Sequence, residues 1–426
     1  MGEGLLEQYR RNVAPGPQFV ARPAGRVAPD PAPVRLIAFY LPQFHAIPEN
    51  DEWWGEGFTE WTNVTKALPL FEGHYQPRLP RDLGFYDLSR PDILRHQAEL
   101  ARQFGIEGFC FHYYWFGGKR LLETPLDNLL ADRSIDLPFC INWANENWTR
   151  RWDGREDQVL VGQRHSPEDD LAFAEAVAPL FDDPRYIRVA DRPLLLLYRP
   201  AALPDAKATV ERWRERFSSR GANPLILMTQ AFGEMDPRRY GFDGAVAFPP
   251  IGIGDELPSI EPDTLFDPGF IGYRRSYAAV ARAALDSHST DYRHYPGVCP
   301  DWDNSARRGP NASMLVGSTP ERFGAWLEAA ARQVLANPDP DERIVFINAW
   351  NEWAEGTYLE PDQHYGCDYL AALADALQRI GEAPAGEADP SALDADGPAR
   401  TSGPRILSRV ARKLARNLEA VSRRLR

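Results

Sequence analysis

Eight short apolar runs recur along the chain, with helix-length segments between most of them, and few folds accommodate that rhythm. The runs are 36–41, 108–113, 137–143, 193–198, 224–229, 244–248, 295–299 and 344–350. Most contain Val, Ile, Phe or Tyr, which suits strands buried on both faces. The clearest helical patterns are 91–104, 167–181, 206–220, 273–285 and 320–336. Ser89-Arg-Pro, Ser166-Pro-Glu and Ser318-Thr-Pro-Glu offer hydroxyl caps or N1 prolines before three of them. The alternation predicts an α/β fold, a (β/α)8 TIM barrel over residues 35–380, with an open doubly wound sheet as the other arrangement that fits. The fifth unit is the weakest, because 231–242 offers little helix.

The barrel carries flanks. Residues 1–34 read as an N-terminal arm that packs on the body. Residues 381–404, rich in Gly, Pro, Ala, Ser and acids without an apolar period, read as a flexible linker. In 405–426, Leu407, Val410, Leu414, Leu418, Val421 and Leu425 recur at helical spacing among Arg and Lys. That is a basic amphipathic helix, suited to an anionic membrane surface or an acidic protein partner, or to folding back on the acidic body. Net charge is -13, yet nine basic residues and one acid fall between Arg400 and Arg426, leaving 39 basic against 60 acidic residues elsewhere. An acidic body is a poor nucleic-acid binder, so no nucleic-acid partner is expected. The four cysteines are widely spaced with no CxxC, which argues against a zinc site and fits a reducing cytoplasm. No apolar run reaches the roughly 18 residues of a membrane span, and residues 1–34 hold no signal-like apolar region. The expectation is a cytoplasmic protein, peripheral at the inner membrane through its basic segment.

A barrel of this kind places its chemistry at the C-terminal ends of its strands. Of twelve tryptophans, Trp213 and Trp326 lie in expected helices. The other ten (Trp53, Trp54, Trp61, Trp115, Trp143, Trp148, Trp152, Trp302, Trp350 and Trp353) follow the ends of strands one, two, three, seven and eight. Indole faces stack on sugar C–H faces, and amides and carboxylates take the hydroxyls, so this rim predicts a carbohydrate cleft. A tryptophan layer that merely caps the barrel is the other reading. The substrate-binding candidates follow from position. They are Tyr40 and Gln43 at the first strand's end, and Trp53, Trp54, Glu60 and Trp61 in the long loop after it. His112, Tyr114 and Trp115 follow from the second strand. Asn142, Trp143, Asn145, Glu146 and Trp148 follow from the third, Trp302 and Asp303 from the seventh, and Trp350 and Asn351 from the eighth.

The catalytic candidates are Glu352 and Glu355. Two glutamates three apart, on a turn leaving a buried strand, can face the same way, and retaining glycoside cleavage uses two close carboxyl groups. After strand seven, Asp301-Trp-Asp303 could hold a divalent metal beside a nucleotide sugar. The simpler reading is that Asp303 bonds sugar hydroxyls and that Arg307 or Arg308 pairs with a carboxylate or an acidic sugar. No metal or organic cofactor is expected. The sequence contains no P-loop, G-x-G-x-x-G, H-E-x-x-H or G-x-S-x-G.

Several motifs, in order, resemble a known family. Ile37-Ala-Phe-Tyr-Leu-Pro-Gln-Phe-His45, Trp54-Gly-Glu-Gly-Phe-Thr-Glu-Trp61, Asn142-Trp-Ala-Asn-Glu-Asn-Trp148, Trp302-Asp-Asn304 and Asn348-Ala-Trp-Asn-Glu-Trp-Ala-Glu-Gly356 resemble the WbsX-like family of bacterial polysaccharide and O-antigen assembly. That family is similar in turn to glycoside hydrolase family 99, the endo-α-mannosidase type. The resemblance covers roughly residues 35–380 and implies a (β/α)8 barrel acting on a glycosidic bond with retention through a 1,2-anhydro sugar. By resemblance Glu352 assists the substrate 2-hydroxyl and Glu355 is the acid/base, which needs a raised pKa at Glu355. Family 99 has histidine where this chain has Ala354. The alternatives are a glycosyltransferase of lipopolysaccharide or other surface-polysaccharide assembly, and a glycan-binding protein without catalysis.

Overall fold

The computed structural model describes residues 4–150, 155–288, 291–383 and Leu393. The linker beyond Ala383, apart from Leu393, and the basic segment 405–426 lie outside the described residues, as does Trp152.

Eight parallel strands close into a barrel: β1 Arg35–Tyr40, β2 Gly108–Phe116, β3 Phe139–Trp143, β4 Arg192–Leu197, β5 Leu225–Gln230, β6 Gly244–Ala247, β7 in two pieces, Arg293–Tyr295 and Gly297–Val298, and β8 Ile344–Ile347. Each strand pairs with the next, and β1 pairs with β8 through Arg35↔Ile344 to Ala38↔Ile347. Closure uses the break in β7. Its first piece pairs with β6 and its second with β8. Pro296 stands between them, where a residue without an N–H interrupts the ladder at least cost. The strands are buried on both faces, as Leu194–Leu197 illustrate, because helices cover the outside and side chains fill the inside.

The helices fall where the apolar period placed them, with local differences. The first, Pro91–Phe104, opens on an N1 proline with Arg90 rather than Ser89 at the cap, and ends at Gly105, whose φ of 98° only glycine adopts freely. Ser166 and Thr319 cap Pro167–Val177 and Pro320–Leu335 by accepting from Asp169 N and Arg322 N. The segment expected as one helix from 273 begins instead as a strand, Tyr273–Ser276, paired with Ser313–Val316; Ser276 then caps the helix Tyr277–Asp286. The fifth unit holds only the 3-10 turn Pro237–Tyr240. The last helix, Asp368–Glu382, runs two residues past the expected barrel edge at 380.

The arm is tied to the barrel top. Gln8 Nε2 donates to the carbonyls of Phe71 and His74, and Asn12 Nδ2 to those of His74 and Gln76. Further on, Val27 N donates to Gln103 O. Among the described residues no helix is long and apolar enough to cross a membrane.

Candidate active site

The floor of the site is aromatic. Phe39 of β1 packs edge-on against Phe248 at 4.7 Å and tilted against Phe346 at 5.6 Å, and His112 stacks on Phe39 at 5.8 Å. Above this plug, β8 ends and Asn351–Glu352 forms a two-residue strand with Thr357–Tyr358. The turn Trp353–Glu355 between them closes at Gly356, φ 66°. This short hairpin carries both candidate carboxyls.

Arg307, in the helix Ser305–Arg308 after β7, joins them. Its Nη2 lies 3.0 Å from Glu352 Oε2, its Nη1 2.5 Å from Glu355 Oε1, and its Nε 2.9 Å from Glu60 Oε1. One guanidinium therefore holds three carboxyl groups, and they keep it cationic despite burial. Burial pushes Glu352 up to about 8; Arg307 opposes the rise, while the charges of Glu355 and Glu60 add to it. Burial thus raises the first carboxyl of the pair. His112 Nε2 stands 3.9 Å from Glu352 Oε1, and burial, with Arg307 next, lowers its pKa to about 4, so it is a neutral ring at pH 7.

A cleft of about 560 Å³ opens over these groups, a size suited to a small ligand or a few sugar units. Ten of the twenty expected site residues line it: Gln43, Trp53, Trp54, His112, Tyr114, Glu146, Trp148, Trp302, Glu352 and Glu355. Trp148 meets Trp53 edge-on at 6.0 Å and Tyr114 at 5.3 Å. Glu146 is held by Arg199 Nη1 at 2.7 Å.

The other ten do not line the cleft. Strand alternation explains several: on β2, His112 and Tyr114 face the mouth while Trp115 turns outward, its Nε1 donating to Asp169 Oδ1 at 2.8 Å. Trp143, one residue past Asn142, stacks on Phe173 of the surrounding helix at 4.5 Å. Tyr40 likewise turns out, its hydroxyl donating to Gln97 Oε1 at 2.8 Å. Asn142 is wholly buried beside His112, with 3.5 Å between Nδ2 and the ring Nδ1. Asn145 spends both ends of its amide on the backbone of Arg199. Asn351 does the same with Leu41, accepting from its N–H at 2.8 Å and donating to its C=O at 2.9 Å. Trp61 donates to Tyr86 O, and Glu60 lies beneath Arg307, wholly buried. Trp350 and Trp353 donate to opposite oxygens of Glu360. The ten rim tryptophans thus divide. Trp53, Trp54, Trp148 and Trp302 line the cleft; Trp61, Trp115, Trp143, Trp350 and Trp353 are packed away; Trp152 is outside the described residues.

Asp303 is the clearest correction. Instead of facing a sugar, its Oδ2 meets His74 Nε2 at 2.9 Å and Gln76 Nε2 at 2.7 Å, and its Oδ1 accepts from Ser305 N at 3.0 Å. Burial alone would raise this carboxyl, yet His74 and Arg78 hold it below the usual range. Asp301 pairs with Arg78 at 2.8 Å, so the Asp-x-Asp carboxylates are turned to protein cations and amides. Among the described residues no cluster of three metal-ligating side chains occurs.

Sequence reading missed Glu360, buried eight residues beyond the pair's first member and placed by packing rather than by a motif. It takes Trp350, Trp353, Tyr86 and Gln97 as donors, and burial, opposed by these donors, raises it to about 7. It also missed Tyr198 and Phe248, at the ends of β4 and β6, which line the cleft. The strand-end rule alone would have found both.

Comparison with known proteins comes down to one family and one fold. Residues 36–373 match the family described as Glycosyltransferase WbsX. A protein named "Uncharacterized protein WxcX" from Xanthomonas campestris pv. campestris, present in two strains, is 50% identical over 366 residues, covering 85% of this chain and 52% of the relative. The chain spans about half the length of these curated relatives. A solved structure titled "Glycoside hydrolase-like protein" is similar with a TM-score of 0.51 at 15% identity, over 85% of this chain and 99% of that one. The endo-alpha-mannosidase of family GH99 from Bacteroides thetaiotaomicron aligns with a TM-score of 0.49 at 14% identity, over 83% and 99%. The former, with the closed eight-strand topology, makes the fold a (β/α)8 barrel.

Proposed function

The chain belongs to the WbsX glycosyltransferase family, and on that premise we propose that it is a carbohydrate-active enzyme that breaks a glycosidic bond with retention and passes the sugar to a hydroxyl. The observation that carries this reading is the meeting of Glu352 and Glu355 on one guanidinium, at the floor of an indole-lined cleft.

Burial raises the Glu352 carboxyl to about 8 and so favours its protonated form, which supports Glu352 as the acid toward the leaving oxygen. Glu355, held by Arg307, takes the proton of the substrate's 2-hydroxyl. That oxygen attacks the anomeric carbon as the bond to the leaving oxygen breaks. An incoming hydroxyl, from water or a second sugar, then opens the three-membered ring from the opposite side. Its proton goes to Glu352, Glu355 returns its proton to O2, and two inversions amount to retention. This exchanges the two roles implied by the resemblance, on the ground of where burial leaves the proton. His112, neutral and buried, is suited to a hydrogen bond with a sugar hydroxyl.

The test is a set of defined oligosaccharides with product configuration read by NMR. Glu352→Gln and Glu355→Gln should each lower turnover on the order of 10²–10⁴-fold while glycan binding persists. Binding without turnover by the parent would make the protein a glycan-binding module. The family description favours a second reading, a glycosyltransferase of surface-polysaccharide assembly. Metal-dependent release of nucleotide from a nucleotide sugar, with transfer to a glycan acceptor, would replace the first reading by this one.

A further inference from the structure

Glu60 does not line the cleft. It stands at the start of the helix Trp61–Lys66 yet makes no capping bond there, and it is wholly buried. Its Oε1 accepts from Arg307 Nε at 2.9 Å and from Asn63 Nδ2 at 3.0 Å. Its Oε2 is buried and has no hydrogen-bond partner among the described residues. A glutamine would fill the same volume and keep both bonds through its own Oε1. Shape and hydrogen bonding therefore do not account for a carboxylate at this position, and burying one carries a cost. What the carboxylate adds is charge.

That charge acts on the carboxyl pair. Arg307 divides its three nitrogens among Glu60, Glu352 and Glu355. Within this group, one positive charge faces three negative ones when every carboxyl is ionised. Retaining one proton removes one of the three. Like charges gathered in a buried site resist losing their last proton, and that proton belongs to the pair rather than to one member. The neighbouring rings supply no cation: His112, 3.9 Å from Glu352, is neutral at pH 7. Tyr114 is kept neutral by burial, with the charge of Glu352 next. Glu60, beside Glu355, adds to the rise at Glu352 that burial begins.

We infer that Glu60 is a positioning residue: it holds Arg307 by the Nε and adds the third negative charge that keeps one proton on the Glu352–Glu355 pair at neutral pH. What that proton then does, reaching the leaving oxygen, rests on the function proposed above. Glu60→Gln tests the charge, because it removes no hydrogen bond. The full chain is titrated by difference infrared spectroscopy, which reads the C=O stretch of a protonated carboxyl and needs no substrate. Glu352→Gln and Glu355→Gln identify the signal of the pair. In the parent it should vanish with a midpoint at about 8. Glu60→Gln should lower the midpoint by roughly one unit or more. Glu60→Asp, which keeps the charge, should stay nearer the parent. A midpoint unmoved by Glu60→Gln, or moved equally by Glu60→Asp, overturns the inference and leaves Glu60 a packing residue. A parent that carries no such proton at pH 7 overturns it without any variant. Turnover of the oligosaccharides gives the separate check on function. The upper limb of its pH profile should move down with the infrared midpoint in Glu60→Gln. A limb that stays while the midpoint moves would keep the role of Glu60 and remove the pair from the acid step.

Discussion

Glu352 has an ordinary carboxyl value of 4.5, which burial raises to about 8 in the folded chain. Between those values the folded protein binds more protons here than the unfolded one, so stability is full below the lower value and falls as pH rises through the upper. Thermal melts across this window should show a falling Tm, and Glu352→Gln should make the slope shallower. Turnover should decline as pH passes about 8 if Glu352 is the acid; a rate that climbs through that pH would restore the roles implied by the resemblance. The tryptophans offer a second contrast. Trp143→Ala should cost ~3–5 kcal/mol in urea unfolding, because Trp143 is wholly buried on Phe173. Trp148→Ala should leave stability nearly intact and weaken glycan binding by about tenfold, ~1.4 kcal/mol. Both residues followed the same strand in the sequence. Trp143 ends that strand facing the helices, whereas Trp148 opens a separate short strand, Trp148–Arg150, at the cleft; on β2 the period of two alone separates His112 from Trp115.

At the scale of elements, the site depends on the hairpin after β8 and the short helix after β7 arriving together. Asn351 fastens the hairpin to the end of β1 by two bonds to Leu41, and Asp303 N donates to Glu355 O at 2.7 Å. Arg307 completes the junction. Arg307→Met leaves Glu60 wholly buried without its cation, and should cost ~3–5 kcal/mol at pH 7 in urea unfolding. The loss should shrink in acid, where the carboxyls are neutral. The Glu-x-x-Glu turn was legible because it follows a buried strand and is flanked by tryptophans. Arg307 was legible only as a cation seeking a carboxylate. Its three partners were not, since Glu60 stands 247 residues away in the chain and Glu352 45.

For the whole molecule, the charge division remains the feature to test. We propose that the basic segment 405–426 holds an acidic barrel at an anionic membrane surface. The full chain should sediment with phosphatidylglycerol vesicles and not with phosphatidylcholine vesicles, salt should release it, and a chain ending at Glu382 should remain in solution. Retention by the shortened chain would overturn this assignment. The barrel itself was written into the sequence, because strand and helix periods are local and each unit carries its own. So was the region of the chemistry, since strand ends converge on one rim in any such barrel. Tertiary structure alone decided which polar groups meet there: that Asp303 turns to His74, that Asn351 holds Leu41, and that one arginine gathers three carboxyls. Those pairings depend on barrel closure, which brings the first loop against the last, and no local period records it.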